Sequence, residues 1–279
     1  MTGFSYQGLA AYVRQGLQVA SFAVPMLWAA SAIAQDTQAA ENGPAAIPEV
    51  IEITETAQAR TARLDAKHQD CLERIAEDQE LALEEAMIWR DKGGGRRARH
   101  CEAMALFALG YEGEAANRLD ALAEGGDGGS EDHRIKYRAE AANFWLAAGD
   151  ASRAYSAATA GLDMAPKHAE LRIARARAYA LSGRPDYAET DLSTVLAYHP
   201  RHAEALRYRA DARLRQDRLD GAKDDVERSL QIDITSVETA LLRGRINEAI
   251  RLKALDEAKK TPDDAGAEIL SQETLDAVK

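Results

Sequence analysis

Residues 169–202 read AELRIARARAYALSGRPDYAETDLSTVLAYHPRH, and the thirty-four residues on either side follow the same plan. Pro166 returns as Pro200, His168 as His202, and Ala154 as Ala188 and then Ala222. Leu162 returns as Leu196 and Leu230, and Arg175 as Arg209 and Arg243. A fixed period of this length marks stacked helix–turn–helix units, each of which buries its apolar face only against its neighbours. Gly149 and Gly183 stand at the turn between the two helices of a unit, and Asp217 takes that place in the third copy. Pro166 and Pro200 stop the second helices, whereas Ile234 replaces the proline in the third copy and softens its stop.

The small residues and apolar spacings of these copies resemble the tetratricopeptide repeat. The resemblance implies an all-α protein, a right-handed α-solenoid of helix–turn–helix repeats with a long C-terminal capping helix. It also implies a class of activity, the binding of other proteins. Full repeats occupy residues 135–168, 169–202 and 203–236. A unit at residues 96–123 precedes them, and a degenerate unit at residues 57–95 starts the array and ends at Gly93-Gly94-Gly95. Residues 125–130, rich in glycine, form a surface loop between units, with no Lys-Ser/Thr pair to make them a phosphate loop. Residues 237–260 begin like a fourth repeat but carry no turn glycine. They read as one helix that closes the stack with a polar outer face of Glu238, Arg245, Glu248, Lys253, Glu257 and Lys260.

Ahead of the array, Arg14 is the only charged side chain before Asp36, and an apolar run ends in Ala32-Ile33-Ala34. This pattern predicts a signal peptide at residues 1–34, cleaved after Ala34; an uncleaved anchor is the competing reading, disfavoured by Pro25 within a short run. Residues 35–56 then form a flexible linker, and residues 261–279 an acidic tail. The expected location is the periplasm of a Gram-negative bacterium, with no stable membrane insertion after cleavage. The net charge of −11 argues against nucleic acid, which needs a basic footprint. Two cysteines, Cys71 and Cys101, fall in the exported part and favour a disulfide. The rival is a zinc site with His68 and His100, although neighbours on a helix such as His100 and Cys101 point about 100° apart.

No nucleophile elbow, Ser-x-x-Lys or His-Glu-x-x-His motif occurs, so neither an enzyme nor a cofactor is expected. Arg175 and Asp191 lie sixteen residues apart, as do Arg209 and Asp225; the repeat before has Ala141 and Ala157 at those places. Residues that arrive and vanish together are expected to pair across the helix hairpin, the alternative being an exposed anion site. The leading functional reading is a non-catalytic scaffold that receives a peptide or helix of another protein. In the family this chain resembles, first helices line a concave groove. Mapped here, that surface takes in Arg97, His100, Met104, Phe107, Lys136, Asn143, Ile173, Arg177, Arg207, Asp211, Leu214, Arg215 and Arg245. Six of these are basic in an acidic protein, which points to a partner bearing carboxylates; the plainer alternative is local pairing with Glu170, Glu204 and Glu238 at the rim. Service in envelope assembly or secretion is expected by analogy. A structural subunit contacting through its convex face, self-association included, is the second reading.

Overall fold

Alanine at every thirty-fourth position lets helices cross closely here, and Ala154, Ala188 and Ala222 are all buried at such crossings. The computed structural model describes residues 55–260. The expected leader, most of the linker and the tail lie outside the described residues. Among these the chain forms eleven helices: α1 Ala57–Glu77, α2 Gln79–Asp91, α3 Gly95–Ala108, α4 Glu112–Glu124, α5 Glu131–Ala147 and α6 Ala151–Met164. The series goes on with α7 Ala169–Leu181, α8 Pro185–Tyr198, α9 Ala203–Arg215, α10 Leu219–Ile232 and α11 Val237–Lys260.

The chain divides into two units, residues 1–63 and residues 64–279. Of the first, the described part is the start of α1, where Arg63 donates to Glu55 at 2.8 and 3.1 Å. The second is an α-solenoid of antiparallel helix pairs. Its first helices α5, α7, α9 and α11 approach one another in sequence, while the second helices α6, α8 and α10 make no comparable approach. The first helices therefore form the inner face of the stack.

Local chemistry sets the ends of these helices. Asp78 and Asp150 accept from the backbone N–H of Leu81 and Arg153 and so cap α2 and α6. His168 and His202, the loop histidines of the repeat, do the same for α7 and α9 through their Nδ1 atoms. The hairpin turns need a left-handed residue: Gly149 and Gly183 have φ of 77° and 74°, and Asp217 has 57°. The glycine-rich loop at residues 125–130 is tied down. Arg134 donates to the carbonyls of Ala123 and Gly125 at 2.6 and 2.8 Å, and Arg99 pairs with Asp127.

One expectation is corrected at the far end. The outer side of α11 is not uniformly polar, since Val237 and Leu241 are 65% and 66% exposed, and Leu252 and Leu255 are exposed as well. The charge pattern had concealed an apolar stripe running between the charged positions.

Candidate partner-binding face

The inner face is built on α3, α5, α7, α9 and α11, and it sits above a scaffold of ion pairs inside the hairpins. Arg175 donates to both oxygens of Asp191 at 2.7 and 2.8 Å, and Arg209 does the same to Asp225 at 2.8 and 2.7 Å. Each aspartate recruits a second arginine: Arg172 reaches Asp191 at 2.7 Å and Arg213 reaches Asp225 at 2.8 Å. Arg213 also donates to Glu189, which Arg218 and Gln216 hold as well. Burial works to raise the Glu189 pKa, but the hydrogen bonds from Arg213 and Gln216 and the nearby charges leave it below the usual value. Forked guanidinium–carboxylate bonds of this kind fix the angle between paired helices.

The anticipated groove residues divide into three groups. His100 and Ile173 are 1% and 4% exposed, so neither can meet a partner. Ile173 belongs to the core formed with Leu192, Val195 and Leu206. His100 spans two helices: its Nε2 donates to Glu140 Oε2 at 2.8 Å, and its Nδ1 lies 2.9 Å from His68 Nε2. Met104 is buried too, and Phe107 stacks on Phe144 with centroids 3.7 Å apart. Leu214 packs against the core around Val226 and Ile246. A helix surface that should open to a partner is here partly closed by side chains bridging α3 to α5 and α7 to α9.

A second group is charged but neutralised from within. Arg97 donates to Asp65 at 2.5 Å and holds its carboxyl below the usual range. Arg215 and Arg245 share Asp211, at 2.7 and 3.2 Å.

Lys136, Arg177 and Arg207 make up the third group. Arg177 donates to the neutral Asn143 side chain at 2.9 Å. Glu204 stands 3.8 Å from Arg207, and Glu140 stands 3.7 Å from Lys136. The two arginines flank one ring: the guanidinium carbons of Arg177 and Arg207 lie 5.2 and 4.1 Å from the centroid of Tyr208. Sequence reasoning missed Tyr208. The signal available was that it replaces Ala174 of the preceding repeat, an aromatic ring where the register puts a small residue.

Cys71 and Cys101 form a disulfide that joins α1 to α3 across a Cα separation of 6.3 Å, which leaves no thiolate for the alternative zinc site.

No family model matches the chain. A fragment of MamA from Desulfovibrio magneticus RS-1, residues 41 to its end, superposes with a TM-score of 0.51 at 16% identity, covering 66% of this chain and 99% of that one. The thirty-four-residue period and this fold agree. The chain has the fold of a tetratricopeptide-repeat solenoid. The chain is 30% identical over 121 residues to RNA polymerase II-associated protein 3 of Xenopus tropicalis, across 43% of this chain and 18% of that protein. It is 35% identical over 135 residues to cellulose synthase operon protein C of Xanthomonas axonopodis pv. citri, across 48% of this chain and 8% of that protein. The matched stretches thus span less than a fifth of the length of these curated relatives.

Proposed function

We propose that this tetratricopeptide protein is a non-catalytic protein-binding scaffold, exported to the periplasm, that takes a carboxylate-bearing segment of a partner along its inner face. The observation that supports this is the Arg177–Tyr208–Arg207 cluster. It lies on adjoining first helices, in a protein of net charge −11; Arg177 donates to the neutral Asn143, and Arg207 pairs with Glu204 only at 3.8 Å. A guanidinium can grip a carboxylate by two parallel hydrogen bonds, and the ring offers an apolar wall beside it. The disulfide suits an oxidising compartment. A role in envelope assembly or secretion follows from that setting by analogy.

The test is crosslinking in intact cells, with identification of the captured protein, followed by the same capture with Arg177→Ala and Arg207→Ala combined. Recovery should fall at least tenfold, consistent with about 1.4 kcal/mol per decade. The melting temperature should hold within about 2 °C, since both side chains are only partly buried and neither belongs to the hydrophobic core. Binding of the identified segment should also weaken with salt. Unchanged recovery from the double variant overturns the reading.

One observation favours contact through the second-helix face instead. Tyr155 and Tyr187 are exposed on α6 and α8 and pack on either side of Tyr179, with Arg184 lying 4.0 Å from the Tyr187 ring centroid. Tyrosine and arginine are enriched at interface centres. Loss of capture by Tyr155→Ala with Tyr187→Ala, and not by the arginine pair, would move the contact there.

A further inference from the structure

The last helix breaks the plan of the hairpins before it. Gly149, Gly183 and Asp217 share one register place, and each takes a left-handed conformation there so that the chain folds back. The same place in α11 is Arg251, which stays helical, so α11 reaches 24 residues where α7 and α9 have 13. No helix follows it among the described residues. Thr239, Leu242 and Ile246 are buried against the stack, which leaves the other side of α11 to solvent.

That side carries one stripe of six exposed residues: Val237, Leu241, Arg245, Glu248, Leu252 and Leu255. Their spacings of four, four, three, four and three keep them in line along the helix. This is the spacing of a seam that receives another helix. Four large apolar side chains on one exposed line also differ from the scattered hydrophobic residues of an ordinary surface.

The stripe is complementary to itself. About a midpoint between Ile246 and Asn247, Leu241 mirrors Leu252 and Arg245 mirrors Glu248, while Val237 mirrors Leu255 to within one residue. An antiparallel second copy therefore sets leucine on leucine toward both ends and arginine on glutamate in the middle. Each contact then occurs twice, as a two-fold axis requires. Parallel pairing would instead set Arg245 on Arg245 and Glu248 on Glu248, which like-charge repulsion opposes. Within the chain, Arg245 meets Asp211 at 3.2 Å and Glu248 meets Arg251 at 2.7 Å, both at the surface where a further charge can join them.

We propose that α11 is a self-association helix: two copies of the chain join through antiparallel α11 seams, with Leu241 on Leu252 of the partner subunit and Arg245 on Glu248 of the partner subunit. The leucines supply the apolar burial, and the exposed charge pairs fix orientation and register more than strength. Residues 237–255 span about 27 Å of helix, a contact at the low end of specific interfaces, so the dissociation constant should be on the order of micromolar. The seam shares no residue with the Arg177–Tyr208–Arg207 cluster, so the two readings stand or fall separately.

The experiment is sedimentation equilibrium of the full chain from about 1 to 100 µM, a range that brackets such an affinity. The chain should pass from monomer to dimer. Leu241→Asp combined with Leu252→Asp should stay monomeric throughout, with undisturbed amide exchange in α5 to α9 showing that the stack is still folded. Arg245→Glu and Glu248→Arg should each weaken self-association about tenfold or more, because each sets like charges opposite one another. Mixed together, these two single variants should pair within about threefold of the original affinity, since every charge then meets its opposite. A purely structural role for either residue predicts no such recovery. A chain that is monomeric at the highest concentration overturns the proposal, whether its seam is bare or covered by another segment. A dimer that survives the leucine substitutions overturns it as well, by assigning self-association to another face. Mixed charge variants that fail to pair would overturn the antiparallel register and the proposal with it.

Discussion

Asp191 and Asp225 each hold two arginines, and that doubling makes the two sides of each ion pair unequal. Asp191 is buried, whereas Arg172 and Arg175 are only partly so. Asp191→Ala strands two guanidinium groups at once and should cost about 3 kcal/mol, the lower end for a broken buried pair. Arg175→Ala leaves Asp191 bonded to Arg172 and should cost nearer 1 kcal/mol. Urea denaturation of the two variants checks the order, and a larger loss for Arg175→Ala would refute this reading of the network. The Arg175–Asp191 and Arg209–Asp225 pairs were legible in the sequence because both members shift together by one period. Arg172 and Arg213 were not, because their register equivalents are Leu206 and Tyr179, and nothing periodic links them. The same limit hid Tyr208, and it left His100 and Ile173 on the groove list although neighbouring helices cover them.

At the scale of the element, the turns tell most about how this array is written. Gly149, Gly183 and Asp217 occupy one place in three hairpins, all at positive φ. Aspartate tolerates this conformation better than most residues, whereas alanine there costs roughly 1–2 kcal/mol. Asp217→Ala should therefore destabilise by about 1 kcal/mol, and Asp217→Gly should be neutral or slightly stabilising. The 2.6 Å contact of Asp217 with Lys253 is exposed and adds little to either figure. Equal melting temperatures for the two variants would mean that the turn is not under this constraint. The helix pairs were readable because period, breaker and turn residue agree along the stretch. Two features were not. The loop at residues 125–130 looks unconstrained in composition, yet Arg134 fixes it through backbone carbonyls, which no side-chain pattern reveals. The outer side of α11 looked polar because its charges were counted without the leucines that lie between them.

A stack in which each unit touches only its neighbours is weakest at its ends, so the attachment of α1 bears on the whole molecule. From residue 64 onward α1 is fastened to α3 by three links: the Cys71–Cys101 disulfide, the His68–His100 contact of 2.9 Å and the Asp65–Arg97 pair. The histidine link is sensitive to acid. Desolvation by burial, with His100, Lys136 and Arg97 close by, lowers the His68 pKa from 6.5 to about 3 despite Asp65. The folded chain therefore keeps His68 neutral where the unfolded chain protonates it. This contribution is complete above about pH 6.5 and is lost as the pH falls toward 3, by up to about 1.4 kcal/mol per pH unit for one proton. Glu140, the other end of the relay, acts in the same direction. Burial works to raise its pKa, but the charge and hydrogen bond of His100, with Lys136 nearby, leave it lowered, so its share too is lost on acidification. The disulfide restrains this loss, because its thirty-residue separation is worth on the order of 3–4 kcal/mol in the chain-entropy model. Cys71→Ser combined with Cys101→Ser should accordingly give a protein whose α1 opens between pH 6 and 4 while α5 to α10 stay folded. Hydrogen exchange should rise across residues 64–77 at pH 5 in that variant, and much less in the disulfide-bonded chain. His68→Asn in the same background should flatten the pH dependence, since it removes the group that titrates. A pH profile unchanged by His68→Asn would place the acid sensitivity elsewhere in the stack.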